Sequence, residues 1–381
     1  MAATSAPDLR GTAQKLAQEV LGPHAAEVDA QRQFPVANFQ ALAQAGLLGI
    51  LAPKAQGGAG ASLSDFAAVC EELARGCAST AMCFLMHGCA TAVIAARATS
   101  DQAERWLRPI AEGRSLGTLA FSERGTGAHF YNPEIQARRE DGHYILSGQK
   151  SFVTSGGHAD VYLALVKASP EAEGLDVLAV EKGTPGLSFT GAWDGLGLAG
   201  NSSVRMVLAD VRVPATNTIG QEGNGADLVF GVVAPTFLIG VAAVNVGIAQ
   251  AALDAAVQHA TTRTYPPDAK PLAAIQALQF YLAEMKVATD GARALLGRAA
   301  ALADAGDPGA LPAVMEAKIA GAEAVLSVTD KAMKVCGGQG YSKSMPVERY
   351  LRDGRAGTVM APTTEVLKEW LGKIQCGLPL F

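Results

Sequence analysis

Few side chains in these 381 residues combine a reactive group with surroundings that could use it. His87 sits in the almost wholly apolar run 79–99, where an imidazole is either a base facing a cavity or, more commonly, a satisfied core group. Glu123 and His129 flank the turn of Leu119-Ala-Phe-Ser-Glu-Arg-Gly-Thr-Gly-Ala128, and Asp227 precedes a long apolar helix that it could cap. Gly195-Leu-Gly-Leu-Ala-Gly200 spells GxGxxG, the glycine pattern of a dinucleotide-binding turn. That pattern has to follow a strand and open a helix. Here the next run, Val204–Pro214, is itself strand-like, so the glycines are read as an ordinary turn. The six cysteines are Cys70, Cys77, Cys83, Cys89, Cys336 and Cys376. Their spacing fits neither paired zinc ligands nor a disulfide framework, and they read as small core residues.

The elements that must position these groups change character twice along the chain. Leu9 to about Arg114 reads as helices: Leu9–Val28, Pro35–Gly46, a stretch to Arg75 that Ser64-Asp65 could cap, and the apolar run from Ser79. From Ser115 short runs rich in Val, Leu and Tyr alternate with Gly, Pro and Asp-Gly turns, and Asp141-Gly142 is a hairpin signal. That spacing predicts an antiparallel barrel or sandwich of ~100 residues. After Gly225 the helical period returns in Pro235–Thr262, Pro271–Asp304 and Pro312–Val335, each long enough for a four-helix bundle. The expected domains are 1–114, 115–220 and 221–381, a helical, a β and a helical unit, giving an α+β chain. A hydrophobic fraction of 49% is ample for several cores, and a net charge of −5 with interspersed signs points to neither nucleic acid nor an anionic membrane surface. Residues 1–7 lack the features of a secretory signal, and no run approaches ~18 uninterrupted apolar residues. The expectation is a cytoplasmic protein without a membrane span.

The segment around which the rest is organised runs from Met333 to Thr364. It reads Met-Lys-Val-Cys-Gly-Gly-Gln-Gly-Tyr, then Pro346-Val-Glu-Arg-Tyr-Leu-Arg-Asp353, then Ala361-Pro-Thr-Thr364. Gly337-Gly338 should interrupt the apolar helix that enters it. This run resembles the acyl-CoA dehydrogenase superfamily, with its GGxGY, PVERxxRD and later Glu-Gly-Thr. The resemblance extends over nearly the whole chain, including Gly142-His-Tyr-Ile-Leu-Ser-Gly-Gln-Lys-Ser-Phe-Val-Thr-Ser-Gly156 and the Ala103-Glu-Arg-Trp-Leu107 segment.

What it implies is FAD as cofactor. Phe121, Ser122 and Gly127 fall at the strand end and turn that meet the flavin, Phe152 beside the isoalloxazine, and Thr154 near its N5. Phe152 and Thr154 stand two apart in a strand and so share a face. Arg263, Gln276, Gly337, Gly338, Thr363 and Glu365 fall where the family holds the ADP half, with Arg263 reaching a neighbouring subunit's pyrophosphate. The resemblance therefore implies a homo-oligomer, tetramer or dimer, acting on an acyl thioester or related small molecule, with the electron acceptor left open. One departure is large. The family's usual catalytic Glu falls on Ala361, followed by Pro362 where Gly is usual. The alternative position, on the helix beginning near Pro235, offers no acid, and the family's CoA-binding Asp-x-x-Arg falls on Pro235 and Leu238. Three readings stay open: a flavoenzyme with an altered or dispensable base, in which His87 is a candidate; a flavin-dependent oxidase or monooxygenase; and a silent subunit completing the flavin site of an active paralogue.

Overall fold

The computed structural model describes residues 8–170, 173–267 and 269–380. The N-terminal third is helical: Leu9–Leu16 and Gly22–Gln31 joined by a π turn, then Val36–Gln44, Leu63–Gly76 and Ala78–Arg97. Ser62, rather than Ser64, caps the Leu63–Gly76 helix, with Asp65 closing the reciprocal capping box. Ser64 instead donates through its hydroxyl to Asp304, whose carboxylate also accepts the amide N–H groups of Leu63 and Ser64.

The middle third forms two sheets. Gly117–Ala120, Val161–Lys167 and Leu175–Glu181 make the first; Arg138–Glu140, His143–Val153, Val204–Pro214 and Leu187–Thr190, in that order across the sheet, make the second. The second is wholly antiparallel, as the sequence predicts, and Asp141 (φ +46°) and Gly142 (φ +73°) close its first hairpin. The first departs from expectation, because Gly117–Ala120 runs parallel to Val161–Lys167. The chain between these strands crosses into the other sheet and back, so it returns in its original direction. Tyr144, Leu146, Tyr162, Leu178 and Met206 fill the space between the sheets.

The last third contains three long helices, Ala234–Thr262, Gln276–Asp304 and Ala310–Tyr341, with Thr364–Gln375 packed on the third. Ala310–Tyr341 is broken at Gly337 (φ +56°, ψ −141°). Two helical stretches, Ala78–Arg97 and Gly225–Thr262, are long and apolar enough to cross a membrane by length and composition. Packing accounts for that composition here, since 83% and 67% of their apolar windows are buried within the protein.

Candidate active site

A cavity of about 720 Å³ opens where all three regions meet. Its walls come from Met82 and Met86 on the Ala78–Arg97 helix, Phe121 to Arg124 after the first strand, Phe152 on the long hairpin strand and Thr154 just past its end, and Phe237 and Leu238 at the start of Ala234–Thr262. Arg352, Arg355, Ala361 and Pro362 close the remaining side.

The Gly195–Gly200 turn helps to hold that side in place, and the strand that follows it confirms that it is no dinucleotide turn. A Cβ on Gly197 would lie 2.5 Å from the Arg352 carbonyl, so only glycine lets the turn approach this closely. The Leu198 N–H donates to Asp353 Oδ1 at 2.6 Å, and burial raises that carboxyl to about 6. Arg352 is clamped between Asp29 (2.6 Å) and Glu348 (2.7 Å), which explains the charge pattern of Pro346–Asp353 in physical terms.

Two strand-borne segments are locked together beneath the cavity. Lys150 and Glu123 form an ion pair whose side chains are 0% and 2% exposed. Glu123 also accepts from the Glu134 and Ile135 amides (2.6 and 3.1 Å), and Lys150 also donates to the Leu165 carbonyl. The Ser151 N–H donates to the Ser122 carbonyl at 2.7 Å. These bonds fix Phe121 and Ser122 relative to Phe152 and Thr154. Thr154 Oγ1 lies 2.9 Å from Ser203 Oγ, while its carbonyl accepts from Thr118 Oγ1 at 2.8 Å. Phe152 has φ +53°, a strained value for a bulky residue, and is 69% exposed, standing edge-on to Trp193. The strand register shifts between Lys150 and Val153 and the strand ends before Thr154, so the simple alternation expected from the sequence is not what brings both residues to the cavity. An apolar slot walled by an exposed aromatic ring, with hydroxyls from Ser122, Thr154 and Ser203 around it, fits a flat, polar-edged heterocycle such as flavin.

The site residues expected from the sequence fall into two groups. Phe121, Ser122, Gly127, Phe152, Thr154 and Ala361 line the cavity. Arg263, Gln276, Gly337, Gly338 and Glu365 are exposed and lie outside its walls; Arg263 stacks over Tyr265 at 4.8 Å. Thr363 caps the Thr364–Gln375 helix, accepting from the Val366 N–H.

His87 is not a base facing the cavity. Its Nε2–H donates to the Leu48 carbonyl (2.9 Å), its Nδ1 accepts from the Gly117 N–H (3.0 Å), and burial holds its pKa below the usual imidazole value. With both nitrogens engaged it ties a loop to the first strand. Glu123 does not flank the turn as a free acid, since the pair with Lys150 occupies it. His129 is exposed and meets Tyr131, and Asp227 is an exposed first-turn residue that makes no cap bond.

Lys318 escaped sequence reasoning. It is 0% exposed, and its Nζ donates to the carbonyls of Pro362 (3.0 Å) and Met360 (3.4 Å), holding the loop that carries Ala361. A lone lysine among Ala313, Val314, Ala317 and Gly321 was the available signal, because a charge on a buried helix face must find acceptors. Burial lowers its pKa to about 8, against a smaller opposing pull from Glu365. A lysine whose folded pKa lies below its unfolded value costs stability below pH 8, and that cost disappears as pH rises from about 8 towards 10.5. Wild type is therefore expected to gain stability relative to Lys318→Met between pH 7 and pH 10, read from denaturant midpoints. An unchanged difference would show that the ammonium is not penalised.

Comparison with known proteins agrees with this architecture. The acyl-CoA dehydrogenase N-terminal, middle and C-terminal domain families match residues 5–114, 118–211 and 239–375. The chain is 35% identical to the mitochondrial short-chain specific acyl-CoA dehydrogenase of Bos taurus, over 94% of this chain and 87% of that one. It is 33% identical to the acryloyl-CoA reductase (NADH) of Anaerotignum propionicum, over 94% and 91%. The structure of butyryl-CoA dehydrogenase from Megasphaera elsdenii superposes with a TM-score of 0.91 at 30% identity, covering 97% of both chains. Fold and cavity together define a flavoprotein oxidoreductase with FAD as its cofactor. The chain belongs to the acyl-CoA dehydrogenase family.

Proposed function

We propose that this protein is an FAD-dependent oxidoreductase acting on an acyl thioester by a route in which no protein carboxylate removes the substrate's α-proton. The observation carrying this reading is the charge inventory of the cavity. Its one lining carboxylate among the described residues, Glu123, is consumed by Lys150 and two amides, and position 361 presents a methyl group. A proton α to a thioester carbonyl leaves too slowly to water at neutral pH, so ordinary dehydrogenation needs a positioned base. A substrate carrying a carboxylate on the α-carbon needs none, because its loss as CO2 breaks the C–C bond and leaves on that carbon the electron pair that proton removal would otherwise supply.

In this reading Ser122 and Thr154 hold the polar edge of the flavin, Phe152 covers its ring, and the apolar groups Met82, Met86, Phe237 and Leu238 surround the acyl chain. FAD when bound supplies the two-electron acceptor. The same inventory favours a second reading, in which the chain is silent alone and completes the flavin site of a paralogue. The visible spectrum of the purified protein separates the two. About one FAD per chain in a homo-oligomer supports the enzyme, and a colourless protein that takes up FAD only beside a partner sinks it.

The exposed position of Arg263, Gly337 and Gly338, away from the cavity, is what a site shared between subunits requires. The protein is expected to be a dimer or tetramer by light scattering, and Arg263→Ala to weaken FAD binding by about 1.5–3 kcal/mol, the worth of a charge-assisted bond. A monomer holding FAD tightly, or unchanged FAD affinity in Arg263→Ala, would remove the shared-site reading.

A further inference from the structure

Among the described residues, four charged ones line the cavity: Glu123, Arg124, Arg352 and Arg355. Glu123 is neutralised by Lys150, and Arg352 by Asp29 and Glu348. The guanidinium groups of Arg124 and Arg355 make no ion pair or hydrogen bond among the described residues. Both are exposed, so they stand where the cavity opens to solvent, while Met82, Leu119 and Leu238 are buried in its wall. An arginine normally finds a carboxylate on its own chain or stays solvated on an open surface. Two unpaired arginines on one largely apolar cavity raise the local concentration of anions and offer planar forks for an oxyanion.

We propose that Arg124 and Arg355 form an anion-binding subsite at the cavity mouth, taking the oxyanion of a ligand whose apolar part fills the cavity. The proposal rests on the thioester reading for the ligand's identity, although the subsite itself is defined by charge alone. The shared chemistry is an oxyanion on an apolar chain, with two sources: a carboxylate on the acyl group, or a phosphate on its carrier. Arg124 and Arg355 are expected to supply the cation that Leu238, buried in the wall, does not.

The test is calorimetric titration of the FAD-loaded protein and of Arg124→Gln/Arg355→Gln, using matched charged and neutral probes. The probes are octanoate with octanamide, butyryl-CoA with S-butyryl-pantetheine, and S-glutaryl-pantetheine against the same neutral thioester. The double variant is expected to lose about tenfold or more in affinity for at least one anionic probe while binding its neutral twin as wild type does. Loss confined to butyryl-CoA assigns the phosphate, and loss of S-glutaryl-pantetheine assigns the carboxylate. Arg124→Lys/Arg355→Lys, which keeps both charges, is expected to recover part of the affinity.

A double variant that binds every anionic probe like wild type overturns the subsite. So does one that loses the neutral probes equally, or one that releases its FAD. A wild type that binds no thioester yet prefers octanoate over octanamide, with that preference lost in the double variant, overturns the thioester reading and leaves the subsite standing.

Discussion

Butyryl-, isobutyryl- and octanoyl-CoA are expected to leave the bound flavin oxidised when mixed with this protein anaerobically. Ala361 and Pro362 line the cavity, and neither can accept a proton. The loop that carries them is held by Lys318 through its carbonyls, so position 361 stays at the wall rather than opening to admit a substitute. His87 has no free nitrogen lone pair to offer, and Glu123 is closed by its pair. A positioned general base is worth roughly 10²–10⁴ in rate, which is the deficit expected here. Rapid bleaching by any of the three thioesters would reveal a base outside this inventory and end the reading.

The complementary variant is Ala361→Glu. Because residue 361 already lines the cavity, a carboxylate there is expected to raise slow bleaching by butyryl-CoA by about 10²-fold or more. Pro362 restricts the preceding residue to extended backbone, so the triple change Ala361→Glu, Pro362→Gly and Leu238→Arg gives the carboxylate and the carrier their fairest chance. A triple variant that retains FAD and shows no gain would count against a cavity shaped for CoA thioesters.

Lys150→Met is expected to destabilise the protein by about 3–5 kcal/mol, because it strands the Glu123 carboxylate, 2% exposed, without its counter-ion. The two amides donated to Glu123 soften that cost without cancelling it. The functional consequence follows from position. The pair joins the segment bearing Phe121 and Ser122 to the strand that bears Phe152 and leads into Thr154, so loss of FAD is expected to accompany loss of stability. Replacing both partners, Lys150→Met with Glu123→Gln, removes the stranded charge and is expected to recover a large part of the stability. Denaturant unfolding of the single and double variants, with bound FAD read by absorbance, checks both halves. A single variant as stable as wild type would show that the pair contributes nothing to the frame.

The sequence by itself determined the element types and their order. Helical spacing in the first and last thirds, the Asp141-Gly142 hairpin and the strand after Gly195–Gly200 are local patterns, and local patterns survive into the fold because each reports backbone preference or a buried face. That position 361 holds a methyl group and no carboxylate is likewise legible without coordinates. What it left undecided were properties that depend on residues far apart in the chain.

The parallel pairing of Gly117–Ala120 with Val161–Lys167 is one, because strand direction depends on the route of the intervening chain rather than on composition. The fate of His87 is another: its partners, Leu48 and Gly117, lie 39 and 30 residues away, and only their approach turns a candidate base into a structural tie. The same holds for Lys150 with Glu123, and for Lys318 with Pro362, whose chain separation hides them from any periodicity. Charge balance at the cavity was decided last. Arg352 and Arg355 are alike as sequence, three residues apart, yet tertiary packing brings Asp29 to the first and, among the described residues, no ion-pair partner to the second. An ionised side chain is defined by what surrounds it, and in a protein most of those surroundings come from elsewhere in the chain.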